Sequence, residues 1–233
     1  RYGGVIVVTL LIGYFSARPA LRCYYDATEM KENTLTQNSI DIMEKLDGPL
    51  TITTYANMFD ENYFRALPRY YNEDFNRFEK YIRFKPEIKM KYVYYYDKTN
   101  NPTLEQRYPG LTDEQRLKKI CDALDWDVKR VLTPEQIRAK EDLSGEYNKY
   151  VRVIERGNGQ KSYLRLYEDN YRHPTETEIS AALKRMVIKS PVVAFLTGHG
   201  ERSIDGIGER DYYAFSQYKD FRNSLVNQGF ESI

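Results

Sequence analysis

The chain has 233 residues, 41% of them hydrophobic on a count that includes 22 tyrosines, and 30% of them charged. This is the composition of a folded globular chain, long enough for one full domain and part of a second. With 35 Lys and Arg against 34 Asp and Glu the net charge is +1, so no overall field draws in nucleic acid, which is excluded as the expected partner. The two histidines, His173 and His199, and two cysteines, Cys23 and Cys121, cannot supply the closely paired ligands of a structural zinc site. Cys23 and Cys121 either pair in an oxidising compartment or remain separate buried thiols.

The sequence begins at Arg1, which reads as a segment of a longer chain. The first feature is the uncharged run from Val5 to Phe15, in a chain of mean hydropathy -0.69. As a helix, Tyr2 to Phe15 rises only about 21 Å, against a hydrocarbon core of roughly 30 Å. Three readings compete: the end of a transmembrane helix, a buried strand, or the apolar part of a signal peptide. Tyr14 and Phe15, followed by Ser-Ala-Arg-Pro, favour the membrane reading, because aromatic residues anchor at the interface. Arg18 and Arg22 weigh mildly against an exit on the outer side.

From residue 26 onward the chain alternates helix and strand signals. Thr36 to Leu46 predicts a helix stopped by Gly48 and Pro49, and Leu50 to Tyr55 alternates as a strand. Tyr63 to Lys85 is dense in aromatic and basic residues, which admits a stacking platform for single-stranded nucleic acid or sugar. The favoured reading is a core-facing helix with Tyr71, Phe75, Phe78 and Ile82 on one side. Ile88 to Tyr96 predicts a second strand, with Ile88, Met90, Tyr92, Tyr94 and Tyr96 on one face, and the order predicts a parallel βαβ unit.

Thr112-Asp113-Glu114-Gln115 predicts a capped helix carrying Cys121 on its apolar stripe, where a buried inert thiol is expected. Asp127 to Leu132 is a short strand, and Thr133-Pro134-Glu135-Gln136 is a helix start. Val151 to Ile154 and Ser162 to Tyr167 flank Gly157-Asn158-Gly159 as a hairpin. Thr175-Glu176-Thr177-Glu178 opens a helix with Ile179, Ala182, Leu183, Met186 and Val187 along one stripe. Pro191 to Thr197 is expected to be a continuous central parallel strand. Gly198-His199-Gly200-Glu201 then leads to a helix with Phe215, Tyr218, Phe221 and Leu225 on one side. Gly229 closes that helix, and Phe230 to Ile233 begins another strand.

Catalytic signatures are absent from this text. There is no G-x-S-x-G elbow, and Gly157-Asn158-Gly159-Gln160-Lys161-Ser162 lacks the spacing and the strand-to-helix setting of a P-loop. Gly198-x-Gly200-x-x-Ser203 is one glycine short of a dinucleotide fingerprint, so no cofactor is expected. The loop Gly198, His199, Gly200 and Glu201 is the candidate ligand or partner site, because ligands of open α/β sheets bind beyond strand carboxyl ends. An acid/base pair of His199 and Glu201 competes there with a simple tight turn, which is favoured.

Arg22 to Ser39, R-C-Y-Y-D-A-T-E-M-K-E-N-T-L-T-Q-N-S, resembles the membrane-exit segment of the gliding-motility (GldG-like) auxiliary family of ABC transporters. Asp26-Ala27-Thr28 and Asn33-Thr34-Leu35-Thr36 take the places of that family's Asp-Leu-Thr and Tyr-Thr-Leu-Ser. Val192 to Glu201, V-V-A-F-L-T-G-H-G-E, is similar to its strand ending in Gly-His-Gly-Glu. The resemblance implies a non-catalytic, membrane-anchored periplasmic domain of an ABC-2 type transport system in the cytoplasmic membrane, working with a permease and a separate ATPase. It implies no catalytic residues.

The expected fold class is α/β, a Rossmann-like or thioredoxin-like layered sheet with helices. Residues 1–20 are the end of a transmembrane helix and its exit, 26–190 the extracytoplasmic α/β domain, and 191–233 the truncated start of a second Rossmann-like unit. The competing function is a periplasmic glycan- or peptide-binding module using Tyr92, Tyr94, Tyr95 and Tyr96.

Overall fold

The computed structural model describes residues 2–18, 24–196, 198–208 and 211–233. The apolar run is helical: α1 spans Tyr2–Ser16 and buries none of its side chains. This overturns the buried-strand reading, since the run is helical and none of its side chains is buried. Its length is about 22 Å, and among the described residues no helix is long and apolar enough to cross a membrane. Arg22, Cys23 and Thr197 lie outside the described residues.

The central sheet is mixed. Its strands are β1 (Leu50–Asn57), β2 (Lys89–Tyr95), β3 (Val131–Leu132), β4 (Val151–Arg156) and β5 (Lys161–Arg165), in the order β3-β2-β1-β4-β5. The β1 strand pairs parallel with β2 from Thr51↔Lys89 to Asn57↔Tyr95, and β2 pairs parallel with β3. The β4 strand runs antiparallel to both β1 and β5. Four strands therefore share one direction and only β4 opposes them, as the tight Gly157-Asn158-Gly159 connection requires.

Period-two alternation sends each strand's residues to two helical layers. Leu50, Ile52, Ile154 and Leu164 pack with α2 (Gln37–Glu44), α3 (Tyr71–Phe84) and α7 (Glu176–Lys184) through Ile42, Met43, Phe78, Tyr81, Ile179 and Leu183. On the same face, Ala56 and Tyr94 meet Leu117, Ile120 and Cys121 of α5 (Asp113–Leu124). The opposite face carries Tyr55, Tyr95, Val151 and Val153 under Ile137 of α6 (Pro134–Lys140). A short α4 (Pro102–Arg107) fills the connection between β2 and α5.

The three threonine-led helix starts form as the sequence predicts. Thr112 and Gln115, and Thr133 and Gln136, make reciprocal capping boxes, while the Glu178 carboxylate takes both the backbone N–H and the hydroxyl of Thr175. Replacing Thr133 by Ala is expected to remove about 1 kcal/mol of stability, read as a lower urea midpoint at unchanged slope.

Several expectations change. Of the predicted α3 stripe, Phe78 is buried, Ile82 packs against the core and Tyr71 stacks on Tyr92, but Phe75 is exposed, and Asp74 and Tyr81 complete the buried face. A 3-10 turn, Val128–Arg130, replaces most of the strand expected over 127–132. The predicted central strand over 191–197 contracts to β6, Val192–Val193, which pairs in parallel only with β7, Glu231–Ser232, in a separate two-stranded sheet. With one neighbour instead of two, its apolar residues stay open, and Leu196 is 85% exposed.

The long helix predicted around Phe215 to Leu225 also shortens, to α8, Tyr213–Ser216. Beyond it Lys219, Asp220 and Arg222 each turn to a charged partner on the main body, namely Glu146, Lys149 and Glu178. With these ion pairs reaching to two separate segments, the chain leaves the helix after Ser216, and Phe215 and Phe221 stay exposed. Residues 191–233 nevertheless pack on the main body, with Arg185 donating to the Val226 and Phe230 carbonyls.

Candidate functional site

The loop singled out by sequence, Gly198, His199, Gly200 and Glu201, lies on the surface. Gly198 and Gly200 have φ of 128° and 86°, a backbone that side chains with a Cβ rarely adopt. The Glu201 carboxylate accepts the backbone N–H of His199. The His199 side chain is 92% exposed, with its Nδ1 3.9 Å from Glu201 Oε1. The loop is thus a glycine turn tied by one carboxylate, and no described side chain converges on His199 to complete an acid/base set. Among the described residues no group of three or more His, Cys, Asp or Glu is placed to hold a metal ion.

The segment from Asp26 to Thr34 is built around one carboxylate. Asp26 Oδ1 accepts the backbone N–H of Thr28 at 3.0 Å and its hydroxyl at 2.6 Å. Asp26 Oδ2 accepts the backbone N–H of Asn33 at 2.8 Å and the hydroxyl of Thr34 at 3.1 Å. These bonds, the Thr28 hydroxyl first, hold the Asp26 carboxyl well below the usual carboxylate range. The chain then enters α2 through Thr36, whose N–H donates to Glu176 Oε1 of α7 at 2.7 Å. Ser39 donates to the same oxygen and shares a hydrogen bond with Ser180, each at 2.7 Å.

A polar cavity of about 220 Å³ opens beyond the carboxyl ends of β1 and β5, the position that α/β sheets offer to ligands. Its walls are tied by ion pairs: Arg165 Nε and Nη2 donate to Glu146 at 2.6 and 2.8 Å, and Lys219 reaches the same carboxylate at 2.9 Å. Burial opposes ionisation of Glu146, but Arg165 and Lys219 outweigh it and hold its carboxyl below the ordinary value. Lys149 pairs with Asp220, which raises the lysine against the opposing effect of burial. Asp60 is buried, takes the Tyr150 N–H at 2.7 Å, and has no ion pair among the described residues; burial raises its pKa. The sequence carried no signal for this cavity, because its charges come from five separate segments.

A second polar cluster lies inside the core. Arg152 of β4 is fully buried and pairs with Asp74 of α3, which also accepts the Tyr92 hydroxyl at 3.0 Å. His173 Nδ1 lies 3.3 Å from Arg152 Nη2. Burial, then the Arg152, Arg77 and Arg65 charges, push His173 down to about 2. A neutral imidazole can accept from the guanidinium, whereas an imidazolium would face it as a like charge. The cluster knits β4 to α3 and offers no opening of ligand size.

The tyrosines proposed as a binding surface are mostly internal. Tyr94, Tyr95 and Tyr96 are buried, and Tyr92 stacks on Tyr71 with ring centroids 4.0 Å apart. Comparison with protein-family models, with curated proteins and with solved structures finds no match to this chain.

Proposed function

We propose that the chain is a non-catalytic, membrane-anchored accessory domain of an ABC-2 type transport system, of the gliding-motility auxiliary type. In this reading α1 belongs to the membrane anchor in the cytoplasmic membrane, the α/β body lies in the periplasm, and a separate permease and ATPase complete the system.

The observation that supports it is the construction of the exit segment. The motif residues Asp26, Thr28 and Thr34 are those that make its hydrogen-bonded turn. That turn runs into an α2 helix tied to α7 through Glu176. The turn thus fastens the segment that precedes α2 to the folded body, which is what this reading requires of it. The tyrosine-surface alternative has no such support, since three of its four tyrosines are core residues.

The full-length protein is expected in the membrane fraction, co-purifying with a permease and an ATPase and hydrolysing no ATP on its own. Asp26→Ala is expected to leave membrane association and melting of the body unchanged while transport falls to the level of a deletion strain. A full-length protein that is soluble and hydrolyses ATP by itself defeats the reading.

A further inference from the structure

We propose that the cavity beyond the carboxyl ends of β1 and β5 is a binding site for a small zwitterion of the amino-acid type. Its volume of about 220 Å³ lies below the range of about 300–1,000 Å³ typical of drug-sized ligands, so a single small molecule fits.

The charges that remain after the wall pairs are counted define the ligand. Glu146, Arg165 and Lys219 satisfy one another, as do Lys149 and Asp220. Four lining groups are left without an ion pair among the described residues: Asp60 and Glu61 from the loop after β1, and Glu168 and Arg172 from the loop after β5; of these, Glu168 accepts the Tyr218 hydroxyl at 3.0 Å. The two loops leave strands separated by β4, so their roots stand about 10 Å apart. A molecule with an ammonium toward Asp60 and Glu61 and a carboxylate toward Arg172 meets both signs at once. A simple anion would leave buried Asp60 without a counter-charge, and a simple cation would leave Arg172 unused.

The backbone supports a site here. Among the described residues five that are not glycine have positive φ, and three of them flank this cavity: Tyr147 at 56°, Asn148 at 50° and Arg172 at 58°. Left-handed backbone at non-glycine residues concentrates at ligand sites, where side-chain placement outweighs local strain. At Arg172 the turn is held by its N–H to Asp169 Oδ1 at 2.8 Å and by the Tyr167 N–H to its carbonyl at 2.8 Å, while its guanidinium makes no described hydrogen bond or ion pair and is left to the cavity.

The test is calorimetric titration of the full chain in detergent with L-alanine and with glycylglycine, against acetate and ethylammonium as single-charge controls. At least one zwitterion is expected to bind saturably, with both controls about tenfold weaker or more. Arg172→Gly removes the guanidinium while suiting the left-handed backbone, so its melting temperature is expected to equal or exceed that of the parent while zwitterion binding is lost. Asp60→Asn keeps the shape, keeps an acceptor for the Tyr150 N–H, and is expected to weaken binding by about tenfold or more. Absence of saturable binding by either zwitterion, acetate binding as tightly as L-alanine, or Arg172→Gly binding like the parent overturns the proposal. None of these outcomes depends on a permease or an ATPase, so the site stands or falls separately from the transport reading.

Discussion

Asp74→Ala is expected to destabilise the fold by about 3–5 kcal/mol, because it leaves the Arg152 guanidinium buried and uncompensated. Arg152 is 0% exposed and Asp74 3% exposed, so water cannot replace the lost carboxylate without opening the interface of β4 and α3. The Tyr92 hydroxyl, which donates to Asp74 at 3.0 Å, loses its acceptor in the same variant. The double variant Asp74→Leu with Arg152→Met removes both charges and restores apolar packing against Phe78. It is therefore expected to be more stable than either single variant, and by the usual behaviour of buried pairs it can approach the parent. Urea unfolding of the four proteins measures this. A loss below about 1 kcal/mol for Asp74→Ala would show that the pair is solvated in solution.

The second large effect is loss of stability in mild acid through His173. Its folded pKa is depressed to about 2 from 6.5, chiefly by burial and then by the neighbouring arginines. Below about pH 6.5 the unfolded chain binds a proton that the native state refuses, so unfolding becomes more favourable as pH falls. The slope approaches about 1.4 kcal/mol per pH unit for this one group. The stabilisation is fully present above pH 6.5 and declines below it, the direction for a histidine held neutral. His173→Gln keeps a polar side chain that can accept from Arg152 and removes the titration. The parent is expected to lose stability between pH 6.5 and 5 with a slope that the variant lacks. Equal slopes in the two proteins would assign the acid sensitivity elsewhere.

Local structure was legible in the text wherever it depends on neighbours in sequence. The threonine-led starts at Thr112, Thr133 and Thr175 are capping arrangements three residues long, and each formed. Leu50 and Ile52, and Tyr92 and Tyr94, alternate as strand residues because side chains two apart share a face, and β1 and β2 pair in parallel as their order implies. Cys121 sits at 0% exposure on its apolar stripe. The reading failed where apolar content was taken for position. Pro191 to Thr197 looks like a central strand because nothing in seven residues records how many neighbours will pair with them.

The charged sites were the least legible. Glu73 and Asp74 are neighbouring carboxylates of the same helix turn, yet only Glu73 remains at the surface. Three helical positions after Tyr71, Asp74 turns inward to a residue 78 positions later in the chain. Such a pair has no local spacing, because its geometry is set by the packing of α3 across β4. The cavity beyond β1 and β5 is the same case, with Asp60 and Arg172 brought together by strand order and Lys219 by its ion pair to Glu146.

The sequence by itself determined the alternation of helices and strands, the helix starts, the buried thiol and the absence of catalytic motifs. All of these rest on contacts within a few residues or on residue types. Tertiary structure decided that 191–196 lies outside the main sheet, that Lys219 and Asp220 break a helix to reach Glu146 and Lys149, and that uncommitted charges of both signs face one cavity. Long-range ion pairs and strand neighbours are properties of the folded chain, where desolvation makes each charge seek a partner regardless of its distance in sequence.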